Sequence, residues 1–432
     1  MAMEQATIEE GDMNQDMEVA PALIAVHSNQ KSVSVAVGCD LRVFDLENRC
    51  SVKLVDDSAN SFHKGSIRAI RYSASGKLFV SAGDDKLVKI WDSDTWHCIC
   101  TILSEKRVTS VALTNDDSFV CFADKFGIVW AVNLDEHRHG QAVEIKKAAP
   151  ILSHYCSIIT SLEFSPDGRF IISADRDSKI RVTVFPKNPL KGANEIQSYC
   201  LGHTQFVSCL SFIYTTESPD GILVSGSGDS TVRAWDILTG SLLATFDVGA
   251  EAGLVDSNKS EDECILAIND LCAVPNSSLV AISIQSFSGI VLLSYNISGR
   301  SFSLAKVIPV SEQAFVPTSL GISCSDTLWM VSGISNMQGG VGSSCLARVR
   351  VISGLSIKSE GDSSGAVVLE DKDVPGGVEA VEKLQDKLRI DKGMLQEASE
   401  TLQSAMRKLL IKKNYIFEKR DFRKKRGRKN NK

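Results

Sequence analysis

The chain repeats itself, and a repeat of this kind restricts the fold more than any other feature of the sequence. Phe79-Val-Ser-Ala-Gly-Asp-Asp-Lys-Leu-Val-Lys-Ile-Trp91-Asp92 matches Leu223-Val-Ser-Gly-Ser-Gly-Asp-Ser-Thr-Val-Arg-Ala-Trp235-Asp236 position by position. Phe170-Ile-Ile-Ser-Ala-Asp-Arg-Asp-Ser-Lys-Ile-Arg-Val182 is a third copy. Each is an apolar strand, a turn holding Asp, and a second alternating strand. A further strand stands upstream and ends in a polar turn: Ile67 to Tyr72 before Ser75-Gly76, and Ile159 to Phe164 before Ser165-Pro-Asp-Gly168. Pro presets φ and Gly accepts positive φ, so these are turns with a mechanism. The chain is 43% hydrophobic and 23% charged, which excludes wholesale disorder and leaves material for a large core.

These units identify the chain as a member of the WD40 repeat family. Two carry the full signature, with His63 ahead of Trp91-Asp92 and Gly202-His203 ahead of Trp235-Asp236. The resemblance implies an all-β fold, a seven-bladed WD40 β-propeller of four-stranded blades, with a C-terminal helical, basic extension. It also implies a hydrogen-bonded tetrad in each of two blades: His63, Ser81, Asp85 and Trp91 in one, His203, Ser225, Asp229 and Trp235 in the other. The other blades are degenerate. One reads from Leu23 to Val55, and another from Val108 to Ile145 with Phe126 where the tetrad Asp is expected. The blade from Ile158 keeps Asp177 as its tetrad acid but lacks Trp-Asp. Ile265 to Val310 and Val316 to Ile357 complete seven, while six or eight blades stay open.

The expected organisation is an acidic, flexible segment at 1–21, the propeller at 22–357, a Ser- and Gly-rich linker at 358–377, an amphipathic helix at 378–414 and a basic tail at 415–432. Val381, Leu388, Leu395, Leu402 and Leu409 recur every seven residues along the helix. The net charge of −6 hides a polarity: from Arg407 onward there are thirteen Lys and Arg against Glu418 and Asp421, a balance of +11, so the rest sums to −17. Lys412, Lys413, Lys419, Arg420, Arg423, Lys424, Lys425, Arg426, Arg428 and Lys429 suit RNA phosphates or a nuclear import receptor, with Tyr415 and Phe422 placed to stack on bases. The acidic N-terminal stretch, with no basic residue up to Glu18, does not read as a presequence. The twelve scattered cysteines have no zinc-ligand spacing and read as reduced thiols of cytoplasm or nucleus.

Catalytic chemistry finds little support. His63, Ser81 and Asp85 have the residue types of a hydrolase triad, but the set recurs at His203, Ser225 and Asp229 with no nucleophile elbow, as expected of a structural repeat. Gly339-Gly-Val-Gly342 lacks nucleotide-loop spacing and reads as a hairpin loop. His137, Arg138 and His139 have no second ligand cluster beside them and read as a solvated loop. No metal and no cofactor are expected. In Asp175-Arg-Asp-Ser-Lys-Ile-Arg181 five of seven residues are charged, and alternation puts Lys179 and Arg181 on one side of a strand with Ile180 and Val182 on the other.

The stretch Ser173 to Val182, with Ser198-Tyr-Cys-Leu-Gly-His-Thr-Gln-Phe-Val-Ser208 and Phe122-Ala-Asp-Lys-Phe-Gly127, closely resembles the non-catalytic WD-repeat subunit of the eukaryotic tRNA (guanine-N7)-methyltransferase. The resemblance implies a heterodimer with a Rossmann-like, S-adenosylmethionine-dependent catalytic subunit that methylates N7 of a guanosine in the tRNA variable loop. It implies that this chain is not itself an enzyme, that it stabilises and activates that subunit, and that it meets tRNA through the complex; the basic tail and the reduced thiols point to the nucleus, with the cytoplasm also open. The interface it implies is the charged turn: Asp177, Lys179 and Arg181, with Arg176 beside them. A generic WD40 scaffold, such as a ubiquitin-ligase receptor or chromatin adaptor, fits the general repeats equally.

Overall fold

The computed structural model describes residues 22–57, 62–134, 148–155, 157–215, 218–252, 266–285, 287–310, 315–324, 326–334, 347–355 and 365–385. Its strands form seven four-stranded antiparallel sheets, each from one contiguous stretch of chain. The seven first strands touch one another in sequence, and that of blade 1, Leu23–Val26, meets that of blade 7, Phe315–Ile322, so the ring closes.

The strands follow from period-two patterning. Phe170–Asp175 and Leu279–Ile284 are buried along their whole length, as second strands sandwiched between neighbouring blades must be. Third strands alternate more: Lys179–Val184 exposes Lys179 and buries Ile180 and Val182. The tight turns do their part too. Gly76 has φ +76°, and a Cβ there would fall inside the His27 ring, so only glycine lets blade 2's first turn lie on blade 1.

Among the described residues no strand is exchanged across the seam between blades 7 and 1, and side chains pack across it. Ile24, Val33, Val35 and Phe44 of blade 1 pack with Trp329, Val331, Val349 and Val351 of blade 7. The helix Gly377–Gln385 lies over the same seam and buries Ala380, Val381 and Leu384 in that cluster. The Gln385 side-chain oxygen accepts the Val349 N–H at 2.9 Å. The outer strand of blade 7, Val367–Val368, comes from inside the stretch expected to be a linker. The expected helix beyond Gln385 and the basic tail lie outside the described residues.

Two ion pairs join elements inside the ring. Arg71 of blade 2 reaches across the central channel to Glu163 of blade 4 with two bonds of 3.0 and 2.7 Å. Lys89 and Asp56, both with fully buried side chains, pair at 2.6 Å between blade 2 and the segment leading into it.

Candidate interaction surface

The turn between second and third strands recurs in four successive blades with one residue in the left-handed region: Lys86, Gly127, Ser178 and Ser230, at φ +66°, +84°, +66° and +64°. A buried carboxylate organises each turn. In blade 2 the carboxylate of Asp85 can only accept, so His63 Nδ1 carries the proton and donates at 2.8 Å. Ser81 Oγ then donates to Nε2 at 2.8 Å and accepts the Trp91 indole N–H at 3.0 Å. In blade 5 His203 Nδ1 donates to Asp229 at 3.0 Å, Ser225 Oγ donates to Nε2 at 2.8 Å, and the Trp235 N–H reaches Ser225 at 2.8 Å. Burial pushes both carboxyls up, but the His hydrogen bond and charge outweigh it, and Asp85 and Asp229 end below the usual carboxylate range. Burial lowers the His203 pKa against the pull of Asp229, which suits a neutral imidazole. The His, Ser and Asp side chains of these sets bond one another and their own turns, a structural arrangement.

Blade 4 corrects the expectation for Asp177. The buried acid of this blade is Asp175, two residues earlier, 1% exposed. It accepts His154 Nδ1 at 2.9 Å, and Ser173 Oγ donates to His154 Nε2 at 2.7 Å. The other Asp175 oxygen takes the backbone N–H groups of Asp177 and Lys179, each at 2.9 Å. The Asp177 side chain is exposed and takes no part in that set, which its residue joins only through the backbone N–H. Blade 3 makes the same shift: Phe126 occupies the usual acid position, and Asp124 instead accepts the Trp130 indole N–H at 3.0 Å. The signal was in the sequence, because Ala123-Asp124 and Ala174-Asp175 both stand where blade 2 has Ala82-Gly83.

Asp175 therefore clamps the turn that presents the charged residues. Asp177 and Lys179 are exposed, and Arg176 is partly so. Arg181 differs from the solvated cation the alternation suggested. Its Nη1 donates to the Ser153 carbonyl at 3.1 Å, while its Nε is buried without a partner among the described residues. Burial pulls its pKa below the usual guanidinium value, and the opposing pull comes from the Tyr199 phenol. Tyr199 stands directly across from Arg181 on the outer strand Ile196–Leu201, and Leu201 across from Lys179. Both are exposed, at 45% and 61%, and Tyr155 of the preceding loop is 95% exposed. Sequence reasoning did not single out these three, since an isolated Tyr or Leu in a strand reads as core. Arg181 is thus a partly buried cation beside the outer strand of blade 4, with exposed Tyr199 and Leu201 on that strand and exposed Tyr155 in the preceding loop.

A second feature lies on the same end of the ring. Phe126 is 52% exposed, with Lys106 Nζ and Lys125 Nζ 5.2 and 5.4 Å from its ring centroid. The histidines at 137 and 139 with Arg138, the glycines at 339–342 and the tail cations lie outside the described residues. No group of three metal-ligating side chains occurs among the described residues.

The tRNA methyltransferase TRM82 WD40 domain family matches residues 46–151 and 144–338. Among curated relatives, the tRNA (guanine-N(7)-)-methyltransferase non-catalytic subunit wdr4 of Danio rerio is 30% identical over 322 residues, 73% of this chain and 72% of the relative. The protein of the same name from Dictyostelium discoideum is 28% identical over 323 residues, 71% of this chain but 65% of its own length. The human counterpart is 34% identical over 193 residues, 44% of this chain and 43% of the relative. Among solved structures, "Structure of U3-55K" superposes with a TM-score of 0.56 at 20% identity, covering 73% of this chain and 89% of that one, a likeness of fold.

Proposed function

Because this chain belongs to the tRNA methyltransferase TRM82 WD40 domain family, we propose that it is the non-catalytic subunit of a tRNA (guanine-N7)-methyltransferase. In this reading it docks the S-adenosylmethionine-dependent catalytic subunit on the outer wall of blade 4. It holds that subunit in its active form for N7-methylation of a guanosine in the tRNA variable loop, in the nucleus. The observation that carries the docking surface is Arg181, a half-buried guanidinium with an orphaned Nε, set beside exposed Tyr199 and Leu201. A carboxylate brought by the partner satisfies that Nε, and the surrounding apolar surface shields the pair from water. A stiff ring supports this at small entropic cost, since the turn is already fixed by Asp175. Lys179 supplies a second, exposed charge that sets orientation. The Phe126 patch, with Lys106 and Lys125, supports tRNA contact on the same end, and the cations from Lys412 to Lys429 have the charge that suits RNA phosphates.

The test is co-purification of the two subunits. Arg181→Glu removes the cation and brings two like charges together, so the catalytic subunit is lost from the pull-down while the propeller's melting temperature stays within a degree or two. Pairing that survives Arg181→Glu combined with Lys179→Glu places the interface elsewhere.

A further inference from the structure

The opposite end of blades 2 and 3 holds a cleft of about 740 Å³. It opens where the second strands begin, at Lys77 and Leu78, whereas the Asp175–Lys179 turn lies where they end. Its floor is apolar, with Leu78, Ile99 and Leu134. Its rim carries three carboxylates, Asp92, Asp116 and Asp117, against one cation, Lys77.

The decisive group is Asp117. It is 5% exposed, and its Oδ2 accepts the Ser75 hydroxyl, which ties the first turn of blade 2 to that of blade 3. Its Oδ1 is buried with no hydrogen-bond partner among the described residues. A buried carboxylate oxygen left unpaired is costly and asks for a donor. The neighbouring carboxylates cannot offer one, because they are committed as acceptors. Asp116 takes the Thr114 hydroxyl at 2.6 Å and the Ser118 hydroxyl at 2.7 Å, and these hydrogen bonds hold its carboxyl below the usual range. Asp92 takes the Thr95 N–H at 2.7 Å and its hydroxyl at 2.8 Å.

We infer that this cleft is a docking site for a basic linear segment of a partner protein, an Arg or Lys side chain donating to Asp117 Oδ1 while its methylene stem lies on Leu78, Ile99 and Leu134. The sign of the rim excludes a phosphate ligand. The apolar floor matches the stem of a long cationic side chain, which covers hydrophobic surface while its head stays polar. The site stands apart from the blade 4 surface and does not rest on the proposed methyltransferase role.

The experiment uses the full chain and a fluorescein-labelled nonapeptide with Arg-Leu-Arg at its centre. The control is the same peptide with citrulline, neutral and nearly isosteric, for both arginines. Fluorescence polarisation should show the arginine peptide binding more than about tenfold tighter than the citrulline peptide, the ratio expected of a hydrogen bond to a charged group. Asp117→Asn should erase that difference. Asn tolerates the left-handed backbone at this position, φ +58°, so the variant keeps the turn. Ile99→Arg, which supplies a cation in cis, should abolish binding of the arginine peptide independently. Arg181→Glu should leave it unchanged. Equal binding of the two peptides, or an arginine preference that persists in folded Asp117→Asn and Ile99→Arg, overturns the assignment.

Discussion

Asp175 and Asp177 stand two residues apart in one charged turn, yet the structure gives them different work. Replacing Asp175 by Ala strips the acceptor from His154 Nδ1 and from two backbone N–H groups. The turn N–H groups can turn to water, but the buried imidazole N–H cannot. One buried donor left unmade, plus loss of charge-assisted bonds, is worth about 3 kcal/mol. A cooperative unit of roughly 330 residues has an unfolding entropy of about 0.7 kcal/mol/K, so the melting temperature should fall by about 4 °C. Asp177→Ala removes an exposed side chain and should leave the transition within a degree. Differential scanning calorimetry of the two purified variants beside the parent reads this directly. Equal destabilisation by the two substitutions, or a larger effect at Asp177, would refute the reading that the buried acid has moved to position 175.

Two more predictions concern buried charge. Lys89→Met leaves the Asp56 carboxylate buried without its cation and should cost about 3–5 kcal/mol. The double variant Lys89→Met with Asp56→Leu should regain most of that in urea titrations. Asp270 lies in the central channel, where burial outweighs the N–H bonds from Leu320 and Leu271 and raises its pKa from 3.8 to about 6. The folded chain thus keeps a proton that the unfolded chain releases. This contribution to stability is full below the unfolded value and is lost as pH rises through about 6. Asp270→Asn should flatten the melting-temperature profile in that window, and an unchanged profile would remove Asp270 from the account.

The ring was legible where polar groups impose spacing. A His, a Ser, an Asp and a Trp must meet to satisfy one another, so Trp91-Asp92 and Trp235-Asp236 announce their blades. Blades 6 and 7 lack that constraint and show only alternation, which fixes strands but not their place in a closed ring. The outer strand Val367–Val368 is two residues long and carries no period. Val381 and Leu384 were visible as an apolar stripe, but not that the stripe seals blade 7 to blade 1, because nothing local encodes a contact with Trp329 and Phe44. At the candidate surface, the charge run from Asp175 to Arg181 was plain. The half-burial of Arg181 was not, since it depends on the Ser153 carbonyl of the preceding blade and on Tyr199 across the sheet. The exchange of roles between Asp175 and Asp177 was missed because the regular repeat puts the acid four residues after the serine, and here it stands two after Ser173.

In the proposed role this ring works by holding another polypeptide and performs no chemistry of its own. Methyl transfer from labelled S-adenosylmethionine to guanine N7 of tRNA, measured for this chain alone, for the catalytic subunit alone and for the two together, tests it most directly. Full activity is expected only for the pair. Label transferred to tRNA by this chain unaided, or a catalytic subunit equally active and stable without it, would contradict it.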